Sequence, residues 1–254
     1  MSRLRARCPH CLTLTAVAVG RDYECHVCGR TYPGGLVRVP RAWGRDGEAM
    51  AEAARLPLPF PEAGVVDEDT LDEQTIALAA DLPERPIVFG GCCCAHVGAI
   101  KGLASRYARL GVVWLDAHGD LNTPDTSPSG NAWGMPLRMA IESHAVAPCD
   151  VALVGARSLD PPEEKYVARS GVHRDDVAGA LDATDAVYVA LDCDVVRPGE
   201  LNVFMPEDRG PGLEEVEALL AELGERRIAG AGVTGLRPDP RNVEPVTRLL
   251  AALL

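Results

Sequence analysis

Short apolar runs alternate with amphipathic stretches along the chain from about residue 65. The runs that predict strands cover residues 87–89, 112–115, 151–154, 187–191 and 228–233. Helical patterns lie between them, near residues 94–109, 133–144, 213–224 and 243–253, and a further one spans residues 69–81. Strands that lack a polar face and are separated by helices are typical of a parallel sheet covered on both sides. We therefore expect an α/β fold for this part of the chain.

A different pattern precedes this part. Cys8 and Cys11 form one C-x-x-C pair, and Cys25 and Cys28 form a second pair after a stretch that predicts a hairpin. Two such pairs can give four thiolates to one tetrahedral Zn²⁺, and so short a segment needs the metal to fold. The segment resembles a zinc ribbon, whose closed ligand shell is structural. We therefore divide the chain into a zinc ribbon at residues 1–39, a linker at 40–62 and an α/β domain at 63–254.

The charge is distributed unevenly between these parts. Residues 1–45 hold eight Arg against Asp22 and Glu24, whereas the whole chain has a formal charge of −12. An acidic chain is not suited to coat nucleic acid or an anionic membrane, so neither is an expected partner. The sequence shows no apolar signal region and no apolar run of membrane-spanning length. We expect a cytoplasmic protein whose nine cysteines are reduced.

Three predicted strands end in residues that suit metal chemistry. They are followed by Gly90-Gly91-Cys92-Cys93-Cys94-Ala95-His96, by Asp116-Ala117-His118-Gly119-Asp120 and by Asp192-Cys193-Asp194. In open parallel sheets, ligands bind beyond the carboxyl ends of the strands. Carboxylates gathered there repel one another unless a cation neutralises them, and oxygen ligands with one imidazole suit Mn²⁺, Zn²⁺ or Fe²⁺. The sequence therefore predicts a divalent-metal site, with solvated loop carboxylates as the alternative.

These motifs resemble those of the ureohydrolase superfamily, and in particular its arginase-like branch. The resemblance rests on the two metal motifs and on Ser129-Gly130-Asn131, and it covers roughly residues 85–254. It implies a three-layer α/β/α sandwich and two Mn²⁺ ions with a bridging hydroxide that attacks a guanidinium carbon and releases urea. It also implies a trimer or a hexamer. Family members carry a longer segment before the Gly-Gly motif, so the ribbon would cover a sheet edge that the shorter segment leaves bare.

Most of the family's metal ligands have a counterpart at the matching position. Five of the six are present as Asp116, His118, Asp120, Asp192 and Asp194. The sixth family ligand is a His, and Cys93 stands in its place. A thiolate ligand would favour Zn²⁺ or Fe²⁺ over Mn²⁺. The alternatives are that His96 supplies the sixth ligand, or that no sixth ligand exists and the cysteines only pack as small apolar side chains.

Two further family residues are replaced. The position of a proton-transferring His holds Trp133, and the position of a Glu that grips the guanidinium holds Gly235. Trp cannot transfer a proton, and the loss of a buried carboxylate removes a charge-assisted clamp. Glu207 or Asp208, in the loop after the third metal motif, could replace that carboxylate from another direction.

The residues that hold the amino-acid head of the substrate in the family are retained. Those matching the α-carboxylate contacts are Asn122, Ser127, Ser129 and Asn131, and those matching the α-amino contacts are Asp160 and Glu163. The resemblance thus implies an amino-acid substrate with a changed distal group, such as an N-hydroxyguanidine or another amidine-like tail. The alternative is that these residues only form turns in a Pro-rich loop.

Three functions are compatible with these observations. The first is an arginase-like hydrolase with two divalent ions and one structural Zn²⁺, which cleaves a C–N bond of a guanidino or related amino acid. There Asp120 orients the metal-bound hydroxide and relays its proton. The second is a single-metal amidohydrolase of the same fold, for which Asp116, His118 and Asp192 or Asp194 suffice. The third is a non-catalytic descendant that binds a metabolite or a protein.

Overall fold

The computed structural model describes residues 4–254, in which an eight-stranded sheet follows a four-stranded antiparallel one. The strands are β1 (Arg5–Ala6), β2 (Ala16–Val19), β3 (Asp22–Cys25), β4 (Thr31–Tyr32), β5 (Gly35–Val39), β6 (Glu62–Val65), β7 (Pro86–Gly90), β8 (Leu110–Leu115), β9 (Val151–Val154), β10 (His173–Arg174), β11 (Ala186–Asp192) and β12 (Ile228–Thr234). The helices are α1 (Glu48–Ala53), α2 (Leu71–Ala80), α3 (Cys94–Ala104), α4 (Pro136–Glu142), α5 (Pro161–Ser170), α6 (Val177–Leu181), α7 (Leu213–Gly224) and α8 (Val243–Leu253). Within residues 4–254, no helix combines the length and apolar character needed to cross a bilayer.

Alternate side chains of the central strands face two separate cores. Val113 and Leu115 of β8 belong to the core that α7 and α8 cover. Val112 and Trp114 belong to the core that α3 and α4 cover. Because successive side chains of a strand point to opposite faces, the arrangement is a three-layer α/β/α sandwich. The predicted α/β fold with a parallel sheet is confirmed.

The order of the strands brings the predicted ligand motifs to one edge of the sheet. The eight-stranded sheet has the order β10-β9-β8-β11-β12-β7-β5-β6, and its paired strands are parallel. At the carboxyl ends, Leu115 of β8 lies opposite Leu191, and Asp192 of β11 lies opposite Thr234 of β12. The motifs that follow β7, β8 and β11 therefore begin close together.

The boundary of the N-terminal module differs from our expectation. We placed β5 in the ribbon and the start of β6 in the linker, but β5 pairs in parallel with β7 on one side and with β6 on the other. We did not predict β5, because Arg38 interrupts its apolar pattern. The guanidinium of Arg38 is satisfied by Glu62 at 2.6 Å and by the carbonyl oxygens of Ala54 and Leu56. Residues 35–65 thus supply two strands of the main sheet.

The antiparallel sheet borders the main sheet at its edge strand, β6. Arg7 and Glu62 exchange two backbone hydrogen bonds, with N–O distances of 2.9 and 3.0 Å. A salt bridge of 2.7 Å also joins Asp22 of β3 to Arg85, which precedes β7. An edge strand otherwise presents unpaired backbone groups that favour aggregation. The N-terminal module therefore covers part of this edge.

Candidate active site

The three predicted motifs lie together at the carboxyl edge of the sheet. Asp116 follows β8, Asp192 ends β11, and Cys93 directly precedes α3. Asp194 lies in a short 3₁₀ turn, Cys193–Val195, and its backbone N–H donates to Asp192 Oδ1 over 3.0 Å. All four of these side chains are buried. The structure thus gathers residues that are far apart in the sequence.

The side chains form two groups that share Asp116. In the first, Cys93 Sγ lies 2.9 Å from Asp192 Oδ2 and 3.9 Å from Asp116 Oδ2. In the second, His118 Nδ1 lies 3.0 Å from Asp194 Oδ2 and 3.4 Å from Asp116 Oδ1. Within each group, the candidate ligand atoms all lie within 4.8 Å of one another. Ligands at about 2.0–2.3 Å from one cation have a similar mutual spacing, so each group fits one ion.

Asp120 adds a further carboxylate to this cluster. Its φ of 52° lies in the left-handed region, which Asp tolerates better than most residues. Its side chain is buried, and its Oδ2 has no hydrogen-bond partner among residues 4–254. A buried carboxylate oxygen without a partner is costly unless a cation completes it. The chemistry of Asp120 therefore fits a metal ligand.

Burial and mutual repulsion determine how these groups titrate. Burial, followed by the charge of Asp116, raises the pKa of both Asp120 and Asp192, and burial with the charge of Asp192 raises the pKa of Asp194. Burial also acts to raise the pKa of Asp116, but hydrogen bonds and charge from His118 outweigh it and lower that pKa. Burial opposes protonation of His118, yet its acidic partners raise its pKa to about 12. Protons here stand in for positive charge that cations could supply.

Cys93 is a buried thiol among carboxylates. Burial, followed by the charges of Asp192 and Asp120, raises its pKa well above that of a free thiol. The thiol form of Cys93 is therefore favoured and donates a hydrogen bond to Asp192, whereas a bound cation would favour the thiolate. Thr234 Oγ1 lies 3.1 Å from Cys93 Sγ and 3.3 Å from Asp192 Oδ2. Thr234 was missed by sequence reasoning, because a Thr that ends an apolar strand carries no motif.

His96 does not supply the sixth ligand in this geometry. Its Nδ1 lies 2.9 Å from the hydroxyl of Tyr188, and its Nε2 lies 3.3 Å from Thr234 Oγ1. The ring also packs edgewise on Trp114, with centroids 5.1 Å apart. Burial lowers the pKa of His96 to about 3. His96 is thus a neutral packing residue whose two ring nitrogens already have partners.

A cavity of about 340 Å³ lies over the cluster. Its polar lining includes five of the six residues expected to hold an amino-acid head: Asn122, Ser127, Ser129, Asp160 and Glu163. The sixth, Asn131, does not line the cavity in the structure. Its Oδ1 instead accepts a hydrogen bond from the backbone N–H of Arg45 over 3.0 Å. Asn131 therefore ties the loop to the segment after β5.

The residues of this polar lining are fixed by hydrogen bonds within their own loops. Glu163 accepts from the backbone N–H groups of Leu121 and Asp160 over 2.9 and 2.8 Å. Asp160 accepts from Asn122 Nδ2 over 2.8 Å. Ser127 Oγ accepts from the N–H of Gly130 over 3.0 Å. These residues thus form turns and also line the cavity, so the two interpretations of the loop are compatible.

Large apolar side chains also line the cavity: Met50, Trp133, Leu159, Phe204 and Met205. Trp133 packs edgewise on Phe204, with ring centroids 5.9 Å apart. Among these apolar residues, the sequence pointed only to Trp133 as part of the site. Met50 lies on α1, within the segment predicted as a linker. The Pro and Gly residues of that segment favour a loop, so this short helix was not predicted.

Gly235 lies directly against Asp192. Its φ is 77°, and a β-carbon at this position would overlap the Asp192 carboxylate. A Glu here would displace Asp192. The close contact between Gly235 and Asp192 thus leaves no room for a carboxylate side chain at position 235.

The structure separates the two acidic residues considered as replacements. Glu207 lines the cavity, and its Oε1 lies 3.4 Å from Nε2 of His118. Asp208 is exposed and is not a lining residue, and its carbonyl oxygen accepts from Arg157 Nε over 3.0 Å. Only Glu207 is therefore placed to contact a molecule in the cavity.

The four N-terminal cysteines form a second candidate metal centre. Cys8 Sγ lies 3.7 Å from Cys28 Sγ, and Cys11 Sγ lies 3.5 Å from Cys25 Sγ. All four sulfurs lie within 4.8 Å of one another. Their neighbours include Tyr32, whose hydroxyl lies 3.3 Å from Cys8 Sγ. A hydrogen bond with Thr15, ahead of one from a backbone N–H, lowers the pKa of Cys25 to about 5. This arrangement suits a tetrahedral thiolate site.

The fold and the carboxylate cluster together define a three-layer α/β protein with a candidate metal centre at the carboxyl edge of its sheet. The arginase family model matches residues 50–254, and the chain belongs to the arginase family. The arginase of Bacillus subtilis is 39% identical over 142 residues, covering 45% of this chain and 48% of that protein. The arginase of Bacillus caldovelox is 36% identical over 172 residues, covering 56% and 58%. The chain thus spans about half the length of these relatives in sequence.

Solved structures extend the likeness in fold. The crystal structure of Bacillus subtilis arginase has a TM-score of 0.75 at 24% identity, covering 87% of this chain and 97% of that chain. The arginase of Entamoeba histolytica in complex with L-ornithine has a TM-score of 0.75 at 21% identity, covering 86% and 97%. At these identities the likeness concerns the fold alone.

Proposed function

We propose that this protein is a metal-dependent hydrolase of the ureohydrolase type, cytoplasmic and oligomeric, that cleaves a C–N bond in the distal guanidino, N-hydroxyguanidino or related amidine group of an amino acid. One observation carries the proposal: a single cavity is lined both by the carboxylate–His–Cys cluster and by the residues that match an amino-acid head site. Membership of the arginase family supports this class of reaction. The combination favours a small-molecule hydrolase over a protein-binding descendant.

Two divalent cations fit the donor groups. Cys93, Asp116, Asp120 and Asp192 would hold one ion, and Asp116, His118, Asp192 and Asp194 would hold the other. Mn²⁺ is the ion of the family, whereas a thiolate at Cys93 favours Zn²⁺ or Fe²⁺. Bound cations of this kind lower the pKa of a water molecule and stabilise negative charge that develops on the substrate. The presence of both donor groups supports two ions rather than one.

The remaining chemistry belongs to the side chains of this chain. Asp120 orients the attacking water and accepts its proton, for which its buried carboxylate is suited. Trp133 lines the cavity but carries no titratable group. The proton for the leaving amine therefore comes from Asp120 or from solvent. Asp160 and Glu163 hold the α-amino group, and Asn122 and the two serines hold the α-carboxylate.

Product analysis on a substrate panel tests this function. The metal-loaded protein is incubated with guanidino and N-hydroxyguanidino amino acids and with analogues that lack the α-carboxylate, and release of urea or hydroxyurea is measured. We expect turnover of at least one intact amino acid and a loss of at least about 100-fold without the α-carboxylate, because a polar site rejects ligands that leave its groups unpaired. Absence of C–N cleavage across the panel, with two ions bound, would contradict the proposal.

The assignment of Cys93 predicts a specific change in metal content. Cys93→Ala should reduce the ions bound by the cluster from two to one per chain, as measured by elemental analysis of dialysed protein. Cys94→Ala is the matched control, because Cys94 is equally buried but belongs to neither donor group. If both variants retain two ions, Cys93 is not a ligand. Cys93→His should keep two ions and shift the preference towards Mn²⁺.

We also propose that Cys8, Cys11, Cys25 and Cys28 bind one structural Zn²⁺. The spacing of the four sulfurs and the hydroxyl groups beside them support this site. With four thiolates the ligand shell is closed, so this ion takes no part in the reaction.

A further inference from the structure

The proposed cavity lacks the carboxylate that the family places opposite a guanidinium group. Asp192 occupies the space that a side chain at position 235 would need. A cationic group enters a partly desolvated cavity at a high cost unless an anionic group faces it. A substrate with a positively charged tail therefore needs a carboxylate from another part of the chain.

Seven carboxylates line the cavity, counted over residues 4–254, and six of them are already assigned to the metal cluster or to contacts within their own loops. The lining acids are Asp116, Asp120, Asp160, Glu163, Asp192, Asp194 and Glu207. Four of these belong to the metal cluster, and Asp160 and Glu163 accept hydrogen bonds within their loops. Glu207 is the remaining carboxylate, and its side chain keeps 35% of its surface exposed.

The backbone of Glu207 is held in place by one guanidinium group. Arg157 donates to the carbonyl oxygens of Glu207 over 3.1 Å and Asp208 over 3.0 Å. It also donates to the carbonyl oxygens of Asp194 over 2.9 Å and Val195 over 3.1 Å. The loop that carries Glu207 is thus tied to the metal motif itself. A carboxylate on a fixed backbone loses less entropy when it binds a ligand.

We propose that Glu207 determines specificity for a charged over an uncharged substrate tail, because its carboxylate faces the cavity and can bind the cationic group. This inference rests on the proposed function, because it uses the same cavity. The carboxylate approaches from the loop after β11 instead of from the end of β12, where the family Glu stands. Its closest described partner, His118 Nε2 at 3.4 Å, defines the competing role, which is to orient a metal ligand.

Binding measurements on metal-loaded protein separate these roles. L-Arginine and L-citrulline are the probes, because they share an amino-acid head but only the first has a charged tail. Glu207→Gln should weaken arginine binding about 30-fold or more, with citrulline affinity changed less than threefold and both ions retained. Asp208→Asn is the matched control, since Asp208 is adjacent but lies outside the cavity lining, and it should change neither affinity.

Three results would overturn the assignment: an equal loss for both probes, loss of an ion in Glu207→Gln, or no arginine binding by the wild-type protein. The measurement uses binding and not turnover, so it is independent of the hydrolase proposal. A charge-selective effect without hydrolysis would keep the role of Glu207 and reject the reaction. Hydrolysis together with equal effects of Glu207→Gln on arginine and citrulline binding would keep the reaction and reject the role of Glu207.

Discussion

Replacing Asp120 with Asn should lower kcat by about 10³-fold or more while the protein stays folded. The substitution keeps the shape of the side chain and removes the charge and the basic oxygen that would accept a proton. In Asp120→Asn, a neutral amide also replaces the buried carboxylate whose Oδ2 has no hydrogen-bond partner among the described residues. We expect one of the two cluster ions to bind more weakly. Steady-state kinetics and metal analysis of the same preparation measure both effects.

Asp125→Asn is the control for Asp120→Asn, because Asp125 is exposed and lies outside the cavity lining. Its kcat should equal that of the wild type. The thermal stability of metal-free protein gives a second measurement, in which Asp120→Asn should be favourable and not harmful. Burial and the charges of Asp116 and Asp192 raise the pKa of Asp120, so removing this carboxylate should raise the Tm of metal-free protein by about 2–4 °C for each ~1 kcal/mol of relieved repulsion. Unchanged kcat in Asp120→Asn would reject the proposed site.

Replacing two of the four N-terminal cysteines, the proposed zinc ligands, should destabilise the entire chain. In Cys11→Ser/Cys28→Ser, we expect the loss of one Zn²⁺ per chain and a Tm lower by about 10 °C or more. Structural zinc contributes on the order of 10 kcal/mol to the folding of small modules. Here its loss also frees the Arg7–Glu62 pairing at the edge of the main sheet and the Asp22–Arg85 salt bridge. The free edge should promote aggregation, which light scattering during the thermal scan would detect.

Cys149→Ser is the control for the zinc variant, because Cys149 is an exposed free cysteine outside both candidate metal centres. It should keep its zinc content and its Tm. A double variant that melts within about 2 °C of the wild type and still binds the same amount of zinc would show that the four thiols are not a structural site.

Continuous apolar strands and amphipathic helices made most of the fold predictable. The predicted strand at 151–154 and the predicted helices at 213–224 and 243–253 coincide with β9, α7 and α8. Elements with weaker patterns were missed. α5 begins with two prolines, which fit the first turn of a helix but also suggest a loop. β5 carries a charged residue in its interior, and tertiary contacts of Arg38 make that position acceptable.

The candidate site was predictable where a motif encodes it. Alternating acids at strand ends identify the cluster, and topology then brings them together. Packing is not encoded in the same way, so Met50, Phe204 and Thr234 could be placed only from coordinates. The choice between Glu207 and Asp208 also depended on the direction of two adjacent side chains in a loop. The exclusion of His96 depended on Tyr188, a strand residue that its sequence position does not connect with His96.

The position of β5 bears on how the cysteine module could be exchanged during evolution or in protein engineering. A module joined through a flexible tether can be excised or transplanted without harm to its neighbour. Here β5 leaves the cysteine module and enters the main sheet between β6 and β7. The segment after β5 then brings Arg45 to the loop that holds Asn131, and Met50 to the lining of the cavity. Excision at residue 40 would therefore remove an inner strand, so the module cannot be separated from the arginase-family fold at this position without damage to the main sheet.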